Sequence, residues 1–279
     1  KSRREKTLKK SDQKKLVKTG EKVFSSLTRT QQIIVLVALV LGFAGYFIFS
    51  QTGAHLPFSQ EKVIKASNSE ELLKLKWNGS NTYYVTLNGG KSTFSAADLT
   101  QDSDQDDWLK FSPLDRLGRA NQANARLSYQ RYMQVKTMVR PRIPNNPAGW
   151  AYNGRSNNQQ IFFDNGQVTL YNRSHLVAWM FSGDAGSKEN LVTGTRAMNS
   201  PGMQDFETQI SDVLFYKKLH VRYQVTPVYQ GDELLPRGVQ MMAKSIEDNG
   251  KAYDLNVYVF NVQPGYQIDY LTGIGTKTK

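Results

Sequence analysis

Three histidines (His55, His175 and His220) and no cysteine occur among the 279 residues. Disulfides, cysteine nucleophiles and thiolate metal sites are therefore excluded, and imidazole chemistry has only three places to sit. His175 closes the run Tyr171-Asn172-Arg173-Ser174-His175, and Asn190, Asn199 and Glu207 follow it. These residue types suit hydrolysis of a phosphodiester assisted by one divalent ion. A neutral imidazole near physiological pH takes a proton from water and directs it at phosphorus. Arg173, two residues earlier, shares the strand face of His175 and can hold a phosphate oxygen in its fork. Magnesium prefers oxygen ligands and keeps several waters, so one asparagine amide oxygen with phosphate oxygens can suffice; manganese is the alternative ion. Such an ion stabilises the phosphorane-like transition state and the departing 3′ oxygen. The bland alternative is a polar strand end, a capped helix and a surface glutamate.

The elements that must position these groups are short. Ser200 as N-cap and Pro201 at the first helical position predict a helix start just after Asn199. Met203, Phe206, Ile210, Val213 and Leu214 recur at helical spacing, so an amphipathic helix is expected over 203–219, with Glu207 about two turns in at the edge of its buried face. Segments 82–87 and 167–171 read as strands, the first followed by Asn88-Gly89-Gly90, residues suited to a tight hairpin turn. Helix-like stretches appear over 113–129, and Pro141, Pro144 and Pro147 mark a loop. Alternating segments follow at 221–229, 239–246, 255–261 and 266–270. The class predicted is α+β with a mostly antiparallel sheet.

Other constellations fail on spacing. Asp102, Asp104, Asp106 and Asp107 suggest a calcium loop, but the sixth and twelfth positions hold Asp107 and Pro113 instead of glycine and glutamate. An exposed acidic turn accounts for them better. Ser174 and His175 are adjacent, so on a strand they point to opposite faces and form no nucleophile–base pair. The glycine patterns of serine hydrolases, P-loop proteins and dinucleotide-binding proteins are missing from the sequence.

The net charge of +12 is unevenly spread. Residues 1–32 hold eleven Lys/Arg against three Asp/Glu, residues 33–50 hold no charge, and residues 51–279 carry only +4. Residues 33–49 are apolar or glycine throughout, roughly 26 Å of helix at about 1.5 Å per residue, close to a hydrocarbon core in thickness. The expected organisation is a basic cytoplasmic tail (1–32), a transmembrane signal-anchor (33–50), a linker (51–76) and an extracellular domain (77–279). Basic residues resist translocation, so the tail stays inside against anionic headgroups and the rest lies outside the cell, with the lipid bilayer as a partner.

The run NRSHL at 172–176, the spacing of nine from Asn190 to Asn199, and Glu207 on the next helix resemble the DNA/RNA non-specific endonuclease family. Its ββα-metal motif begins Asp-Arg-Gly/Ser-His. The segments LDRLGRA (114–120), VRYQVTPVY (221–229) and NVQPGYQIDYLTG (261–273) resemble the streptococcal-type extracellular DNases and membrane-bound DNA-entry nucleases of that family. The resemblance covers roughly residues 77–273. It implies a ββα-metal nuclease fold and magnesium-dependent cleavage of DNA, with RNA as a further substrate, with little sequence preference and 5′-phosphate ends. It also implies His175 as general base, Asn199 as the metal ligand, Arg173 as a phosphate contact, and Asn190 and Glu207 as further site residues. Asn172 stands where the family has aspartate, which removes a negative charge from beside the ion. That departure keeps open an alternative, a surface DNA-binding module with weak or lost cleavage. Arg140, Arg142 and Arg155 flank a Pro/Asn-rich loop ahead of the motif and are candidate substrate contacts.

Overall fold

Alternation of apolar and polar residues builds the central sheet. The computed structural model describes residue 28, residues 64–66 and residues 68–278. In chain order the elements are α1 (Ser69–Leu73), β1 (Tyr84–Thr86), α2 (Ala96–Thr100), β2 (Trp108–Phe111), β3 (Ala123–Leu127), α3 (Tyr129–Lys136), β4 (Ala151–Tyr152), β5 (Arg155–Ser156), β6 (Gln160–Phe163), β7 (Gly166–Thr169), β8 (Tyr171–His175), α4 (Trp179–Ser182), β9 (Leu191–Thr195), α5 (Gln204–Asp212), β10 (Val221–Val228), β11 (Gly238–Ser245), β12 (Asp254–Phe260), β13 (Tyr266–Ile268) and β14 (Gly275–Lys277). Six strands form one sheet in the order β1-β12-β11-β10-β3-β2, every neighbouring pair antiparallel.

The registers place Ala123, Val225, Met241 and Val257 side by side, and all four are buried. Against this core pack Phe206, Ile210, Val213 and Leu214 of α5 and the wider turn that continues it over Val213–Lys217. Each such side chain contributes about 1.5–3 kcal/mol by leaving water, so the apolar stripe holds α5 on the sheet. Tyr84 meets Phe206 edge to face at 4.8 Å between ring centres. The opposite sheet face is polar and paired: Asn124 accepts from Arg222 and Gln224, and Gln240 donates to Asn256. The mixed α/β class with a mostly antiparallel sheet is as expected.

Several expectations need correction. Leu127 lies in β3 rather than a helix, because residues 123–127 alternate buried and half-buried positions across the sheet. Asn88, Gly89 and Gly90 have the left-handed backbone foreseen for a turn, but no hairpin forms there. β1 pairs instead with β12, which is distant in sequence. The folded unit also begins before residue 77: Ala66 and Leu72 are buried with Leu87, Tyr258 and Phe260 in a second core cluster. Ile64, Leu73 and Leu75 pack on the same cluster, so described residues assigned to the linker contribute to the core. The basic tail, apart from residue 28, and the 33–50 span lie outside the described residues. Among the described residues no helix is long and apolar enough to cross a membrane.

Candidate active site

The site is a β-hairpin followed by a helix. β8 pairs antiparallel with β9, Tyr171 opposite Thr195 and His175 opposite Leu191. Gly194 allows close packing here: a Cβ there would stand 2.4 Å from both Met198 Cε and Ser174 Oγ, so those side chains would have to shift. The outer edge of β9 is clamped by the chain's C-terminal segment. Asn261 accepts from the Thr195 N–H at 2.7 Å and donates to Thr193 O, while Gln263 accepts from the Ala197 N–H at 3.0 Å. The segment 261–273 is therefore tied to the hairpin that presents the site.

After β9 the chain makes an irregular helical turn over Met198–Met203, broken at Ser200, whose backbone is extended. Ser200 holds the extended conformation of a cap, but its hydroxyl donates to the Gln204 side chain and caps no backbone N–H. Regular helix begins at Gln204, so Glu207 sits in the first turn of α5 rather than two turns in. Gly202 permits the close approach of this turn to the sheet, since a Cβ would lie 2.8 Å from Ala197 O and 2.9 Å from Val259 Cγ1.

These elements converge on a cleft of about 390 Å³ whose walls include His175, Asn199, Glu207, Arg140 and Arg196. Trp179 and Met180 of α4 supply apolar surface there. The side chain of Arg131 fixes α4 from behind, donating to Phe181 O at 3.0 Å and Ser182 O at 2.7 Å.

His175 is only 7% exposed, and its buried Nε2 has no hydrogen-bond partner within the protein. Burial and the positive charge of Arg140 hold its pKa below the usual imidazole value. The backbone carbonyls of Ala185 and Asp184 and the Asp184 carboxylate oppose that shift without cancelling it. The ring is thus neutral at physiological pH, with a nitrogen free to accept a proton.

Glu207 is 8% exposed, and burial pushes its carboxyl up to about 8, Arg140 pulling the other way. Asp184 organises the loop between the strands. Burial raises its pKa, but donation from Gly186, Ser187 and Asn190 prevails and keeps it ionised.

The other anticipated residues divide. Asn190 is fully buried: it accepts from the Val177 N–H at 2.8 Å and donates to Val177 O and Asp184, so it closes the hairpin loop rather than facing the cleft. Arg173 does not join His175 in the cleft. Its guanidinium stacks 4.4 Å from the Trp150 ring centre and donates to Asn146 Oδ1 at 2.8 Å. Sharing a strand face with His175 was not enough, because the long side chain is drawn to the 146–150 loop. Asn172 is half-buried with an unpartnered Nδ2, and it does not line the cleft. Of the flanking arginines Arg140 reaches the cleft, whereas Arg142 and Arg155 are exposed away from it.

Arg196 and Asp184 were not anticipated. Arg196 lies three residues before Asn199, immediately after β9, and that position was its only signal. Asp184 carried none, since its role depends on the loop that returns to Asn190. Among the described residues no group of three His, Cys, Asp or Glu side chains has a metal-holding arrangement. In the acidic turn at 102–107, Asp107 pairs with Arg131, and Asp106 with His220.

The cleft's donors fit a mostly hydrated hard cation. Asn199 lines it together with Glu207 and with His175, whose Nε2 has no partner within the protein. Few protein ligands and abundant water are what magnesium-like ions accept.

The family model for DNA/RNA non-specific endonucleases matches residues 99–247, which include every cleft residue named above. The chain belongs to that family, and its folded domain is accordingly of the metal-dependent endonuclease class. A deoxyribonuclease of Streptococcus dysgalactiae subsp. equisimilis is 34% identical over 109 residues, 37% of this chain and 32% of that protein. The aligned part thus spans about a third of the length of that relative. Among solved structures, the Sda1 nuclease with a bound zinc ion superposes with a TM-score of 0.61 at 26% identity, over 71% of this chain and 97% of that one. NucA from Streptococcus agalactiae with a magnesium ion bound gives 0.56 at 24% identity, over 71% and 89%.

Proposed function

We propose that this domain hydrolyses phosphodiester bonds in DNA, and in RNA, without strict sequence preference, with His175 as general base. The observation that carries this reading is a buried imidazole, its pKa held down by burial and Arg140, whose Nε2 has no partner within the protein, in the wall of a cleft shared with Asn199, Glu207 and two arginines. Arg140 and Arg196 hold the non-bridging oxygens of the scissile phosphate, the role expected at first of Arg173. Arg173 instead braces the 146–150 loop. His175 Nε2 takes the proton of the attacking water as the oxygen approaches phosphorus. Glu207 orients water at the cleft wall through its carboxyl group. Asn199 would hold a divalent cation, magnesium first and manganese as the alternative, with Glu207 next to it. When bound, that cation neutralises charge developing on the phosphate and on the departing 3′ oxygen. The Sda1 structure with its zinc ion supports a divalent site in this fold.

Asn172 lies off the cleft wall, which favours an active enzyme over a binding module that has lost cleavage. Purified protein incubated with plasmid, with and without a chelator, separates the two. Chelator-sensitive degradation to a smear, weakening as salt rises, is expected, since phosphate contacts dominate. DNA binding without cleavage supports the module.

The charge pattern supports a topology in which the enzyme lies on the outer surface of the cell, anchored by residues 33–50, with a cytoplasmic tail and a bilayer partner. Protease added to intact cells should then release the nuclease domain. Protection of the whole chain until lysis would contradict that topology.

A further inference from the structure

A second groove, of about 620 Å³, shares Arg196 and Ser200 with the cleft and is walled by Tyr83, Phe162, Phe163 and Asp164. The hairpin β6–β7 builds one side of it. Asp164 and Asn165 both adopt positive φ (51° and 62°) at its turn, the backbone that matches the twist of a two-residue hairpin. Strand alternation then buries Ile161 and leaves Phe162 78% exposed. Phe163 packs on Tyr83 with ring centres 6.3 Å apart, a fixed aromatic floor. A single exposed phenylalanine needs no function of its own. This one borders a groove that adjoins the proposed phosphate cleft, and one of the two shared residues is the arginine assigned to that phosphate.

Resting on the nuclease reading above, the geometry points to a base-binding subsite: the nucleobase beside the scissile phosphate enters this groove and stacks on Phe162. Every base has a π face, so such stacking adds affinity without reading sequence. The groove's own chemistry agrees with a base rather than a second phosphate. Tyr83, Phe162 and Phe163 give it aromatic surface among polar groups, and Asp164 repels a phosphate while it can accept a hydrogen bond from a base amino or imino group. The phosphate therefore stays at Arg196 and the base lies beyond it. A base can reach the ring only when unstacked from its neighbour, so single-stranded or locally opened substrate is favoured.

The test uses the full chain and single-stranded oligonucleotides with one cleavable phosphodiester, all other linkages being uncleavable methylphosphonates. The nucleotide on one side of that bond, then on the other, carries either a base or an abasic sugar. Wild type is expected to cleave the base-bearing form better on one of the two sides, by roughly 5- to 100-fold, the usual worth of a stacked base. Phe162→Ala should lose that preference, whereas Phe162→Tyr should keep it. An unchanged preference in Phe162→Ala, or none in wild type, overturns the subsite and leaves the nuclease reading intact. Failure of wild type to cleave any of these oligonucleotides or plasmid removes the nuclease reading itself, and the subsite with it.

Discussion

Asn190 clasps Val177 through both halves of its side-chain amide, accepting from the Val177 N–H at 2.8 Å and donating to Val177 O at 3.1 Å. Val177 lies two residues beyond His175, so this clasp sets where the imidazole leaves its strand. Both partners are buried. Asn190→Ala strips a buried N–H of its partner, a loss of about 1–3 kcal/mol. Thermal or urea unfolding should show that loss, and turnover should fall with it. Wild-type stability in the variant would mean the loop is held by other contacts.

The acid limb of activity follows from His175. A base works only when neutral, and burial together with Arg140 lowers this imidazole's pKa. Activity should therefore persist below the pH at which an ordinary histidine becomes charged. Arg140→Gln removes the positive neighbour and lets the pKa rise, so the limb should move to higher pH as well as the KM increasing. A pH profile of kcat/KM for both proteins checks this. A limb that stays in place would show that Arg140 acts on phosphate alone.

Glu207 gives stability the opposite kind of signature. Its carboxyl is raised by burial to about 8 from an ordinary 4.5, so the folded state binds a proton that the unfolded state releases. The stabilisation is complete below the unfolded value and is lost as pH rises through the folded one. With divalent ions chelated, melting temperature should fall between about pH 4.5 and pH 8, and Glu207→Gln should flatten that decline. An equal slope in the variant would assign the pH dependence to another group.

The sequence made the chemistry more legible than the placement. His175, Asn199 and Glu207 could be named because their types and spacing are unusual together, and they do meet in one cleft. The apolar stripe of α5 and strands β10, β11 and β12 were legible because their apolar residues recur in regular patterns. Arg173 was misplaced because strand alternation fixes a Cβ direction and not the end of a long side chain, which Trp150 and Asn146 capture. β3 resembled helix because Leu114, Leu117 and Leu127 fall near helical spacing, while the pairing with β10 that decides the matter lies about a hundred residues away. Asp184 and the clamp from Asn261 and Gln263 were invisible for the same reason: they act through contacts that no local pattern encodes.

The most direct measurement compares plasmid cleavage by wild type and His175→Ala at saturating magnesium, with DNA binding measured in chelator. The account requires wild-type cleavage that the chelator abolishes. In His175→Ala it requires turnover lowered by roughly 10²–10⁴ with binding and melting temperature retained, the loss typical of a positioned base. Equal turnover in the two proteins would contradict it, because the proton of the attacking water would then have another acceptor.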